Sequence, residues 1–151
     1  MKRARAAFVV AGCLLAISCE SSGDSAAAAA AEIACQRRMV ALADEALQRP
    51  PAPGHAVSSR PFETASQGFE RMPVDGCSED QLAKARTMAR TTGHLSDLAA
   101  SVGTMPGTAQ MAHLRGNQAF MEFLSELEGL RNRRRMLADE LERMIAVSRQ
   151  P

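Results

Sequence analysis

Apolar residues recur at helical spacing in three stretches of the chain and at no regular spacing in a fourth. Between Ala26 and Gln48, Cys35, Met39, Leu42 and Ala46 follow at steps of four and three, which puts them on one side of a helix. The alanine run before them has the highest intrinsic helix propensity, and Asp24 or Ser25 can cap its start. Alanine alone marks no face, so the stripe becomes informative only from Glu32. Pro50-Pro51-Ala52-Pro53-Gly54 ends this helix at about residue 48.

A second helix is predicted over 78–102. Ser78 and Gln81 form a capping box, Glu79 and Asp80 sit in the first turn where the helix dipole favours acids, and Gly103 closes the end. Its stripe of Leu82, Ala85, Ala89, Thr92, Leu95 or Ser96, Ala99 and Val102 is shallow, so neighbours can approach closely. After a turn at 104–108, a third helix is predicted over about 108–148. Its seam is Phe120, Phe123, Leu127, Leu130, Arg134, Leu137, Leu141 and Met144, and the phase passes unbroken through Gly129. The fourth stretch, 50–76, is rich in proline and glycine and has no period. It predicts a long irregular connection in which Phe62 and Phe69 cover the helix ends.

The pattern predicts an all-α fold, a three-helix bundle with a long, coiled-coil-like C-terminal helix. At 1.5 Å per residue the third helix is ~60 Å long and the second ~36 Å, so roughly 17 residues of the third overhang an antiparallel partner. Leu137, Leu141 and Met144 lie in that overhang and need cover, from the first helix or from another molecule. They are the candidate interaction face. Arg134 lies on the seam and requires a carboxylate, with Glu79 or Asp80 expected. Arg131, Arg133 and Arg135 fall off the seam, on a solvated face.

The N-terminal segment carries different information. Lys2, Arg3 and Arg5 precede an uninterrupted apolar run from Ala6 to Ile17, too short to span a bilayer, which marks a secretory signal. The run stops at Cys19, after Leu15-Ala16-Ile17-Ser18 and before a small, polar stretch that predicts a flexible tether over 19–25. This arrangement resembles a bacterial lipoprotein signal with its lipobox. The resemblance implies removal of residues 1–18, acylation of Cys19 and attachment to the cell envelope by several acyl chains. Glu20 follows the cysteine where an aspartate would retain the protein at the inner membrane, which implies outer-membrane sorting in a Gram-negative cell. Cys13, after Val10-Ala11-Gly12, is the alternative lipidation site, and a plain secreted chain without an anchor is the further alternative. The chain ends Arg149-Gln150-Pro151. It lacks the terminal lysine by which one helical lipoprotein joins peptidoglycan, so that route of attachment is not expected.

With the signal removed and Cys19 acylated, Cys35 and Cys77 are the remaining thiols, and both face an oxidising compartment. A disulfide between them is expected, and its separation of 42 positions implies ~3 to 4 kcal/mol of stabilisation on the chain-entropy model. If the first helix runs antiparallel to the second, that bond lays Met39, Leu42 and Ala46 along Leu137, Leu141 and Met144. The disulfide would then set the stagger of the bundle.

Removing residues 1–18 leaves 133 of 151 residues, enough for one small domain. Three of the 18 basic residues leave with them, so 15 stand against 17 acidic ones and the mature charge is minus two. That balance has no pull on nucleic acid. There is no Trp or Tyr, which argues against stacking platforms for sugars or bases. His94 and His113 flank the turn between the second and third helices, with Met88, Met105 and Met111 nearby. A His and Met cluster suits a soft metal such as Cu(I), which makes a periplasmic copper-binding or sensing protein the alternative reading. The bland account of the methionines is core filling. The chain contains no G-x-S-x-G, H-E-x-x-H or Gly-rich phosphate loop, and Cys35 and Cys77 are not a C-x-x-C pair. The expectation is a non-enzymatic protein without a cofactor, acting as a structural or interaction module through an envelope protein or by self-association.

Overall fold

The computed structural model of the chain describes residues 21–48, 55–103 and 117–150, which form four helices: α1 (Ser21–Leu47), α2 (Arg60–Glu70), α3 (Glu79–Val102) and α4 (Gln118–Ser148). The architecture is an all-α bundle with a long C-terminal helix and a Cys35–Cys77 disulfide, as the periodicity and cysteine arithmetic require.

The start of α3 follows its sequence signature. The Ser78 hydroxyl accepts from the Gln81 amide at 3.3 Å, and the Gln81 side-chain oxygen accepts from the Ser78 amide at 3.0 Å. Gly103 closes the helix at a positive φ of 66°, its amide donating to the Ala99 carbonyl at 3.2 Å. α4 runs without a break through Gly129. It begins at Gln118, where Asn117 is extended and its side chain accepts from the Phe120 amide at 3.2 Å, and positions 108–116 of the predicted helix lie outside the described residues. Its 31 residues span ~46 Å. At the other end α1 is already helical at Ser21, the first described residue, so the predicted tether is helical from 21 to 25 and neither Asp24 nor Ser25 caps it. The alanine run propagates the helix back through Gly23, since extending an existing helix is far easier than starting one.

The predicted irregular connection contains α2. Pro50, Pro51 and Pro53 precede this helix, Pro73 follows it, and Pro61 lies in its first turn, where a missing amide donor costs nothing. The prolines bracket the helix instead of interrupting it. Phe62, Ala65 and Phe69 form its buried stripe. Gly68 brings α2 so close to α1 that a methyl group in its place would collide with the Leu42 side chain. The Ser66 hydroxyl donates to the Ala89 carbonyl at 3.0 Å and pins α2 to α3.

This extra helix reverses the expected direction of α1. The Val57 amide donates to the Gly103 carbonyl at 2.8 Å at one end of α3, and Ser66 reaches Ala89 farther back, so α2 is antiparallel to α3. Lys84 meets Glu140 and His94 meets Glu122, so α4 is antiparallel to α3 as well. Gln36 bonds at Leu137 and Asp44 at Arg134, which makes α1 antiparallel to α4 and therefore parallel to α3. The four helices alternate up and down, with α1 packed on α2 and α4 and only lightly on α3.

The predicted stagger is corrected accordingly. Ala29, Glu32, Ile33 and Gln36 lie along Leu137 to Val147, while Met39, Ala43 and Ala46 turn into the common core. Lys84 meets Glu140 five residues into α3, so in this antiparallel register only about the last three residues of α4, 146–148, project past Glu79. Phe62 and Phe123 meet edge to face with centroids 6.0 Å apart, in the same core cluster as Met39, Phe69, Leu95 and Leu130, four side chains that are each at most 2 % exposed.

Candidate functional site

Three helices converge where α3 begins. The Cys35–Cys77 bond ties α1 to the residue before the Ser78 cap, with Cα atoms 5.4 Å apart. One residue on, Gln36 is completely buried. Its side-chain nitrogen donates to the Leu137 carbonyl at 3.0 Å and to Glu140 at 3.2 Å. Its oxygen accepts from Gln81 at 3.3 Å, and Gln81 also donates to the Glu32 carbonyl at 2.9 Å. Lys84 donates to both oxygens of Glu140, at 2.8 and 2.9 Å, and pairs with Asp80 at 2.6 Å. Sliding any helix by one turn would leave buried amides unpaired, at about 1–3 kcal/mol for each group. The network thus holds the register of α1, α3 and α4 beside the disulfide. Partial burial pulls the Lys84 ammonium down, but hydrogen bonds and charge from Asp80 and Glu140 outweigh it and raise its pKa.

Arg134 finds a carboxylate on α1, not on α3. Its Nε and Nη2 donate to the two oxygens of Asp44 at 2.7 and 3.1 Å. The predicted partners are otherwise disposed, since Asp80 holds Lys84 and Glu79 is exposed at the start of α3, more than two turns along α4 from Arg134. The hydrogen bond to Asp44 raises the Arg134 pKa against a smaller opposing effect of burial. Arg131 and Arg135 are solvated as expected and pair with Glu128. Arg133 departs from that pattern: it is half-buried, and its enclosed Nη1 lies against Gly129.

The candidate interaction face is largely covered within the chain. Leu137 is buried, and Leu141 and Met144 are half-buried, Met144 beside Ala29 and Ile33 of α1. The large apolar side chains left exposed on this half of α4 are Met136 and Val147, each 68 % accessible. They border two open grooves. One, of about 470 Å³, lies between α3 and α4 and includes Ala83, Thr87, Met136 and Arg143. The other, of about 370 Å³, lies between α1 and α4 and includes Ala29, Ile33, Arg143 and Val147. The C-terminal part of α4 is a ridge between them.

His94 is exposed and stands 3.6 Å from Glu122, while Met88 is buried. His113, Met105 and Met111 lie outside the described residues, as do Cys13, Cys19 and the predicted signal. Among the described residues no group of three His, Cys, Asp or Glu side chains could hold a metal ion, and no helix is long and apolar enough to cross a membrane. The predicted lipidation site and copper cluster therefore have no geometry to report.

Sequence reasoning missed Gln36, Asp44 and the outward stripe of α4. Gln36 carried a legible signal, since it falls three residues before Met39 and so near the buried face. Asp44 carried none without the direction of α1. Comparison with known proteins finds no match: no family model, curated protein or solved structure is similar to the chain.

Proposed function

We propose that the chain is a lipid-anchored cell-envelope protein whose helical bundle serves as a non-catalytic structural or protein-interaction module. The observation that carries this reading is the Cys35–Cys77 disulfide, because a persistent bond of this kind belongs to an oxidising compartment outside the cytoplasm. It agrees with the basic and apolar N-terminal segment that ends at Cys19. Acylation at Cys19 puts the anchor two residues before the start of α1, so the end of the bundle formed by α1 and the last turns of α4 faces the membrane. In a Gram-negative cell that membrane is the outer one. The polar groups of the convergence site are spent on one another, which suits a framework more than a reaction centre.

Intact mass of the membrane-extracted protein, with and without reduction and alkylation, tests the address. The expected species starts at an acylated Cys19 and takes up two alkyl groups only after reduction. A chain without acyl mass contradicts the anchor. A photo-crosslinking amino acid at Met136 in living cells tests the interaction role. A discrete adduct supports it, and absence of any adduct contradicts it.

A further inference from the structure

We infer that two copies of this chain pair through the stripe Met136, Glu140, Arg143 and Val147 of α4, antiparallel about a two-fold axis between Leu141 and Glu142. The inference rests on the reading of the bundle as an interaction module and names its partner. The four residues follow at steps of four, three and four, so they share one face of the helix. A two-fold axis at the centre of such a stripe sets Met136 opposite the second copy's Val147, and Glu140 opposite the second copy's Arg143. Apolar meets apolar at both ends and acid meets base twice in the middle. Asp139, exposed beside Glu140, adds negative charge facing the same arginine.

The surroundings fit the same occupant. Met136 borders the groove between α3 and α4, and Val147 the groove between α1 and α4. The grooves beside the paired ridges, lined in part by the small Ala83 and Ala29, leave room for the side chains at the edges of the contact. Glu140 keeps its bonds to Lys84 and Gln36 and remains 29 % exposed, enough for an arginine to reach it. A contact ~17 Å long lies at the small end of specific interfaces, so the pairing is weak and needs high protein concentration to be seen.

Two variants of the full chain, Met136→Cys and Val147→Cys, test the pairing at ~0.5 mM under mild oxidation. Antiparallel packing puts position 136 against 147 of the other copy but ~17 Å from 136 of the other copy, beyond disulfide reach. The mixture should give a covalent dimer at least ~5-fold faster than either variant alone, while circular dichroism stays unchanged. Equal rates, or no dimer from folded protein, overturn the inference. Arg143→Glu should weaken wild-type dimerisation in sedimentation equilibrium by roughly tenfold. Unchanged association also overturns it. The readings fail separately: a cellular adduct at Met136 with a different protein refutes the dimer and leaves the interaction role standing.

Discussion

Around Phe123 and around Met144 the same helix carries the same seam, yet the two regions are built differently. Phe123 meets Phe62 of α2 within the common core, and its side chain has no exposure. Past the Lys84–Glu140 contact α3 has only its first five residues left, and Leu141, Met144 and Ile145 remain half-exposed. Seam periodicity says which way a residue points. How deeply it is buried depends on how many helices share its level. The first region supplies stability, and the second leaves surface for contact.

The largest effect expected from separating the two is Phe123→Ala, at about 3–5 kcal/mol, because it removes a fully enclosed ring and its edge contact with Phe62. Urea unfolding measures it. A loss below ~1 kcal/mol would show that the region is not a packed core. The double variant Cys35→Ser and Cys77→Ser should lose about 3 to 4 kcal/mol in the same assay while keeping its helical content. Collapse of the helical signal would show that the polar network cannot hold the register alone.

Next comes Gln36→Ala, at roughly 1–3 kcal/mol, since Gln81 and Glu140 each lose a buried partner. The Lys84 pairs should add a smaller, pH-dependent term. Their pKa is raised on folding, so the contribution is complete below the unfolded lysine value of ~10.4 and disappears as pH rises through the folded one. Stability should therefore be insensitive to Lys84→Met across alkaline pH once the amine is neutral, and sensitive to it at pH ~8. Smallest is Met144→Ala, expected to cost under ~1 kcal/mol because its site is open on one side. A cost equal to that of Phe123→Ala would erase the contrast between the regions.

Most of the local structure was legible. The Ser78 cap, the unbroken phase through Gly129 and the two thiols left for a disulfide each rest on neighbouring residues or simple counting. The stripe of α2 was equally legible at Phe62, Ala65 and Phe69, but the density of prolines masked it. That one omission propagated. With a helix hidden in the connection, α1 was assigned the wrong direction and Met39 the wrong neighbours, while Arg134 misses Glu79 and Asp80 because α4 lies along α3 in a different register.

Helix identity, caps and buried stripes follow from the sequence because they depend on interactions within about one turn, where residue spacing and geometry are tied together. The pairing of Arg134 with Asp44, the burial of Gln36 and the ridge of Met136 and Val147 were decided only by the tertiary structure. Each joins residues on different helices, and which residues meet there depends on the number of reversals between them. A count wrong by one reverses the helix that follows.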